Sequence, residues 1–168
     1  MDLPILYEDA DMVAINKPAG LITHSDGRTQ EETAEHWFKR TYPAVVLEHP
    51  YVHRLDRDTS GVLVFAKNAR AYEFLRKAFH DHEVEKTYLA IVHGVPKEKQ
   101  GVIDFAIGRS RKDFRLRSAQ PKAKGRLRDA LTRYEVIGEM EGYALMKLNP
   151  ETGRTHQIRV HLKAIHHP

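Results

Sequence analysis

Apolar residues recur along this chain with two periods, and the switches between them mark out its elements. Ile5-Leu6-Tyr7 and Met12-Val13-Ala14-Ile15 read as short strands flanking the acidic turn at residues 8–11, and Lys17-Pro18-Ala19-Gly20 breaks the second. Thr29 followed by Glu32 has the form of a capping box, opening a helix that turns Ala34, Trp37 and Phe38 inward before Pro43 closes it. The unbroken run Val62-Leu63-Val64-Phe65-Ala66 predicts a buried strand. Asn68 predicts the N-cap of a second helix, whose apolar positions Tyr72, Leu75, Ala78 and Phe79 keep three-and-four spacing. Residues 85–92 alternate, with Tyr88, Ala90 and Val92 on one face and Thr87, Leu89 and Ile91 on the other. Residues 102–107, 127–137 and 143–148 read as further strands, the last two joined by a hairpin turn at Glu141-Gly142. Ile158, Val160, Leu162 and Ile165 suit a helix over residues 155–165. There is no repeat, and strands and helices mix without regular βα alternation, which predicts an α+β fold.

A length of 168 residues with 41% hydrophobic and 30% charged residues describes one ordinary globular domain, residues 1–168. The chain has no cysteine, which excludes disulfides, thiolate nucleophiles and thiolate metal sites and fits a reducing compartment. Met1-Asp2-Leu3-Pro4 lacks the basic and apolar regions of a signal peptide, and no window nears the roughly 20 apolar residues of a membrane span. The expectation is a soluble, cytoplasmic, monomeric protein with no membrane attachment. Charge changes this picture. Between residues 109 and 133 stand ten basic residues and two acids, a balance of +8 in a chain whose net charge is +4, so the remainder is slightly acidic. Such clustering is the footprint of a phosphate backbone, although a solvated basic loop has the same composition.

The chemistry centres on His53-Arg54-Leu55-Asp56-Arg57-Asp58-Thr59-Ser60-Gly61, just ahead of the apolar run. It sets the carboxylate of Asp56 between two arginines on a tight loop, where nearby cations favour its ionised form. An Arg-Asp-rich surface turn would look similar by composition. The full string, however, resembles the catalytic-loop signature of the RluA-like family of RNA pseudouridine synthases. The likeness extends along most of the chain in order: Lys17-Pro18-Ala19-Gly20, Lys86-Thr87-Tyr88, Ala130-Leu131-Thr132 with Tyr134, and Thr152-Gly153-Arg154-Thr155-His156-Gln157-Ile158-Arg159-Val160-His161-Leu162.

The resemblance implies a largely antiparallel sheet with flanking helices around a central RNA-binding cleft. It also implies isomerisation of uridine to pseudouridine in structured RNA, a ribosomal or transfer RNA stem-loop, without cofactor or metal. Asp56 is then the catalytic carboxylate, acting at C1′ or C6 as a nucleophile or on a sugar proton as a base. Arg159 pairs with that acid, Tyr88 stacks on the base, Leu162 and Ile158 line the pocket, and Arg54 fills the space a flipped base leaves. Each has an ordinary structural alternative: a helix-surface arginine, a core aromatic, core packing, a salt bridge. Lys17 and the segment with Arg109, Arg111, Lys112 and Arg115 become phosphate contacts, the segment acting as a mobile loop ordered on binding. The histidines at 80, 82, 156, 161, 166 and 167 are expected to hold no metal. The family pattern continues with further strands, so the sheet is expected to lack its C-terminal strands and to leave apolar surface open; no S4-type domain is expected ahead of Met1. Rival readings are a non-catalytic RNA-binding module and a metal-dependent nuclease.

Overall fold

The computed structural model describes residues 1–25, 31–113, 116–119 and 121–168, and the chain divides into two units, Met1–Glu83 and Val84–Pro168. In the first unit, β1 (Ile5–Glu8), β2 (Met12–Lys17) and β3 (Gly61–Ala66) form an antiparallel sheet in that order. The β1–β2 turn closes on Asp9, whose Oδ1 accepts from the backbone N–H of Asp11 and of Met12 at 2.8 and 2.7 Å. These bonds, that to Met12 foremost, hold the Asp9 carboxyl below its ordinary range. The middle strand buries Val13, Ala14 and Ile15 in succession, because both faces of the sheet are covered there.

Helix α1 (Ala34–Thr41) lays Trp37 and Phe38 into this core, and Phe38 stacks on Phe65 with centroids 4.8 Å apart. Its N-cap is Thr33, whose hydroxyl accepts from the His36 N–H at 3.1 Å. The capping box expected at Thr29 is therefore not what starts the helix: Thr29 lies outside the described residues, and Glu32 pairs with Arg40 at 2.6 Å. Helix α2 (Ala69–His80) starts as expected at Asn68, whose side chain accepts from the Ala71 N–H at 2.9 Å.

In the second unit, β4 (Tyr88–His93), β5 (Gln100–Asp104), β9 (Leu131–Met140) and β10 (Tyr143–Pro150) form an antiparallel sheet in the order β4-β10-β9-β5. Gly142 turns the β9–β10 hairpin at φ +76°, a conformation that suits glycine. Val92, Ala144, Met146 and Leu148 make the core with Leu162 of helix α3 (Gln157–Ala164). Tyr88 and Ala90 pack against it, while Leu89 and Ile91 on the other face of edge strand β4 are 66% and 68% exposed.

A second antiparallel sheet, β7-β6-β8, is built from β6 (Ile107–Ser110), β7 (Arg117–Ala119) and β8 (Ala123–Arg128). It changes three expectations. The strand expected over 102–107 divides at Phe105-Ala106, the strand expected over 127–137 divides at Asp129-Ala130, and the basic segment forms strands rather than a loop. Among its basic residues stand Ile107, Ala119 and Ala123, which are buried and supply the anchoring that charge counting hides. The described residues form three helices and antiparallel sheets, an α+β fold, and no helix among them is long and apolar enough to cross a membrane.

Candidate active site

The loop bearing Asp56 is held from both sides of that residue. Leu55 is buried, and the Thr23 hydroxyl accepts from its N–H at 3.2 Å and donates to its carbonyl at 2.9 Å. The Arg57 carbonyl accepts from the Gly20 N–H at 2.9 Å and from Lys17 Nζ at 3.0 Å. Thr59 N–H donates to the Asp56 carbonyl at 3.1 Å, closing a turn that points toward β3. At the head of the loop, His53 Nε2 accepts from the Val64 N–H at 3.0 Å while its ring stacks on Phe79 at 4.6 Å. An imidazole nitrogen accepting from an amide carries no proton there, so Nδ1 carries the hydrogen of the neutral ring. Gly61, at φ +129°, releases the chain from the loop into the strand. Asp56 is left half-buried between two fixed neighbours.

Lys17 corrects an expectation. It is fully buried, and its ammonium donates to the carbonyls of Pro18, Leu21 and Arg57 at 2.9, 2.7 and 3.0 Å. An enclosed ammonium with three acceptors has nothing to offer a phosphate. Burial lowers its pKa, and the charges of Asp58 and Asp56 push the other way. Both flanking arginines are exposed, and Arg57 pairs with Glu31 at 3.0 Å.

In the second unit, Tyr88 begins β4 on its core-facing side and Arg159 is exposed on α3. Leu162 is 4% exposed and packs in the core, so the pocket-lining place expected for it is taken by packing. Helix α3 is fastened to β9 by a directional chain of polar groups. The Leu131 N–H donates to Thr152 Oγ1, which donates to Gln157 Oε1 at 2.7 Å. Gln157 Nε2 donates to Thr132 Oγ1 at 3.0 Å, and Thr132 lies 2.9 Å from His161 Nδ1. His161 Nε2 ends the chain on the Phe105 carbonyl at 3.0 Å. Since a carbonyl only accepts, Nε2 carries the proton and Nδ1 accepts from the threonine. Burial lowers the His161 pKa, opposed by the Phe105 carbonyl and Asp104. Thus Thr152, Gln157 and His161 of the C-terminal signature are structural. Their trace in the sequence is the four-residue step from Gln157 to His161, which places polar groups where an amphipathic helix should be apolar.

Arg109, Arg111 and Lys112 are exposed on β6 and the turn after it; Arg115 lies outside the described residues. Asp56 and Arg54 belong to the first unit, and Tyr88, Arg159 and Leu162 to the second. Among the described residues no group of three His, Asp or Glu side chains is placed to hold a metal ion.

Residues 11–164 match the model of the family described as RNA pseudouridylate synthase. The chain is 38% identical to tRNA pseudouridine synthase C of Haemophilus ducreyi, covering all of this chain and 72% of that protein. It is 35% identical to ribosomal large subunit pseudouridine synthase D of Borreliella burgdorferi, covering 99% of this chain and 52% of that one. Among solved structures, human RNA pseudouridylate synthase domain containing 1 superposes with a TM-score of 0.82 at 29% identity, over 99% of this chain and 66% of its own. Beside that 72%, the chain spans only about half of several other curated relatives, 56% and 55% for two from Bacillus subtilis.

Proposed function

This chain belongs to the RNA pseudouridylate synthase family, and we propose that it converts uridine in structured RNA to pseudouridine with Asp56 as its catalytic carboxylate. The observation that carries the reading is the two-sided clamp on Leu55 and Arg57, which holds the backbone on either side of Asp56. The reaction breaks the N1–C1′ bond, turns the uracil, and joins C5 to C1′; the C5 proton leaves and N1 gains one, so nothing is oxidised and no group is lost. One fixed acid serves it, as nucleophile at C1′ or C6 or as base toward the sugar. In this reading Arg159 orients the carboxylate, Tyr88 stacks on the uracil, and Arg54 fills the gap left by the flipped nucleotide, whose unstacking costs a few kcal/mol.

The substrate is a transfer or ribosomal RNA, and the protein works as a cytoplasmic monomer on it. The relatives' names divide between these two RNA classes, so the test uses both. Purified protein is incubated with unmodified transfer and ribosomal RNA and the pseudouridines are mapped. New sites with wild type and none with Asp56→Asn support the reading. Tight RNA binding without modification by the wild type would favour the non-catalytic module instead.

A further inference from the structure

We propose that Lys86 is a catalytic residue of the isomerisation, its ammonium set beside Tyr88 to donate to O4 of the target uracil as negative charge builds there. This rests on the reading above and gives a role to a side chain that reading leaves unused. Exposure alternates without a break from Val84 to Val92, so Lys86 lies on the inner side of the chain with Tyr88, Ala90 and Val92. An apolar residue belongs at such a position, and a half-buried lysine occupies it. Lys17, the fully buried lysine, gives its hydrogens to three carbonyls. Among the described residues the ammonium of Lys86 makes neither an ion pair nor a hydrogen bond. Burial lowers its pKa, and no neighbouring charge opposes that shift. A cation taken from water without a partner costs stability, and groups perturbed in this way gather where chemistry is done.

The backbone at this position is fixed. Asn149 Nδ2 donates to the Lys86 carbonyl at 3.1 Å and to Thr87 Oγ1 at 2.9 Å, which ties both residues before Tyr88 to the end of β10. Leu148 stands opposite Tyr88, and the same register carried two residues on sets the buried Pro150 opposite Lys86. Two residues of extended chain span about 6.6 Å, within reach of a four-carbon stem, so a uracil stacked on Tyr88 turns an edge toward the ammonium. Three routes are open to Asp56, and all of them charge one oxygen. Addition to C6 makes an enolate at O4. Attack at C1′, or removal of a sugar proton with loss of the base, releases a uracil anion whose charge spreads over N1, O2 and O4. A fixed ammonium at O4 therefore stabilises the transition state more than the neutral base, whichever route is taken. It donates a hydrogen bond and keeps its proton, so the balance of the isomerisation is unchanged.

Wild type, Lys86→Met and Lys86→Gln are compared in single turnovers on RNA carrying uridine or 4-thiouridine at the position the wild type modifies. RNA affinity, its salt dependence and thermal melting are measured beside the rates. Lys86→Met is expected to convert uridine about 100-fold more slowly, the loss that follows removal of one oxyanion donor. Sulfur at position 4 accepts a hydrogen bond poorly, so the preference of the wild type for uridine over 4-thiouridine is expected to shrink about tenfold in Lys86→Met. Affinity, salt slope and Tm stay at their wild-type values, because the lysine holds neither a phosphate nor another side chain. Lys86→Gln keeps a neutral donor and is expected to lie between the two; it carries the test if Lys86→Met does not fold. Conversion at the wild-type rate by either variant, an unchanged preference for uridine over 4-thiouridine, or weaker RNA binding with a shallower salt slope takes Lys86 out of the chemistry. If wild type is active and Asp56→Asn inert while Lys86→Met keeps the wild-type rate, Lys86 alone is misassigned. If wild type forms no pseudouridine, the catalytic reading fails and the role of Lys86 fails with it.

Discussion

Lys17 and His53 hold the backbone around Asp56, the residue proposed as the catalytic carboxylate: one bonds the Arg57 carbonyl and the other takes the Val64 N–H. A buried ammonium is stable only when its hydrogens find acceptors, and Lys17 finds three carbonyls, one belonging to the residue after Asp56. Lys17→Met leaves those carbonyls in an apolar site, with an expected loss of about 2–4 kcal/mol in the free energy of unfolding by urea. Because the ammonium is enclosed, the same substitution is expected to leave the salt dependence of RNA binding unchanged. A shallower salt slope in Lys17→Met would return Lys17 to the phosphate contacts. The sequence could not separate these roles, since burial is a property of the folded neighbourhood. The motif fixed the residue type and its place in the chain but carried no information on what lies above it. Leu162 is the apolar counterpart: its spacing in the helix fits a core position and a pocket wall equally, and only the contacts with Val92 and Met146 decide.

Elements were legible where local chemistry alone defines them. Asn68 caps α2 as its side chain requires, Gly142 turns the hairpin, and the alternation from Tyr88 to Val92 gives the inner and outer faces of β4. They were misread where strand pairing or a long-range partner decides. Thr33 rather than Thr29 caps α1, and two long strand patterns break because β5 and β6, and likewise β8 and β9, belong to different sheets. For α3, the anchoring network makes stability pH-dependent. The folded-state pKa of His161 lies below its ordinary 6.5, so the unfolded chain binds the proton more readily. The stability it contributes is complete above about pH 6.5 and is lost as pH falls through that value toward the folded pKa. Unfolding free energy measured from neutral to mildly acid pH is therefore expected to fall for the wild type. In His161→Gln the neutral-pH value is lower by about 1–3 kcal/mol and the acid-side decline is shallower. An identical pH dependence in both proteins would remove His161 from this role.

Across the whole molecule, the order of the matched segments along residues 11–164 pointed to the family, and the α+β class followed from mixed periodicities. The basic segment was visible as charge, but its organisation was not. A run of arginines and lysines in sequence gives no register, and only pairing across β7-β6-β8 shows which of them stand side by side. The division into Met1–Glu83 and Val84–Pro168 was equally hidden, since no Pro- or Gly-rich linker or shift in composition marks Glu83. The proposed role of Asp56 is tested most directly by following the hydrogen that isomerisation of uridine must release. RNA carrying uridine tritiated at C5 is mixed with excess protein, and tritium appearing in water is counted over one turnover. Release by the wild type is expected, matched by the pseudouridine formed, with a loss of at least about a thousandfold in rate, roughly 4 kcal/mol of barrier, in an Asp56→Asn protein that melts at the wild-type temperature. Release by Asp56→Asn at a rate near that of the wild type would contradict it.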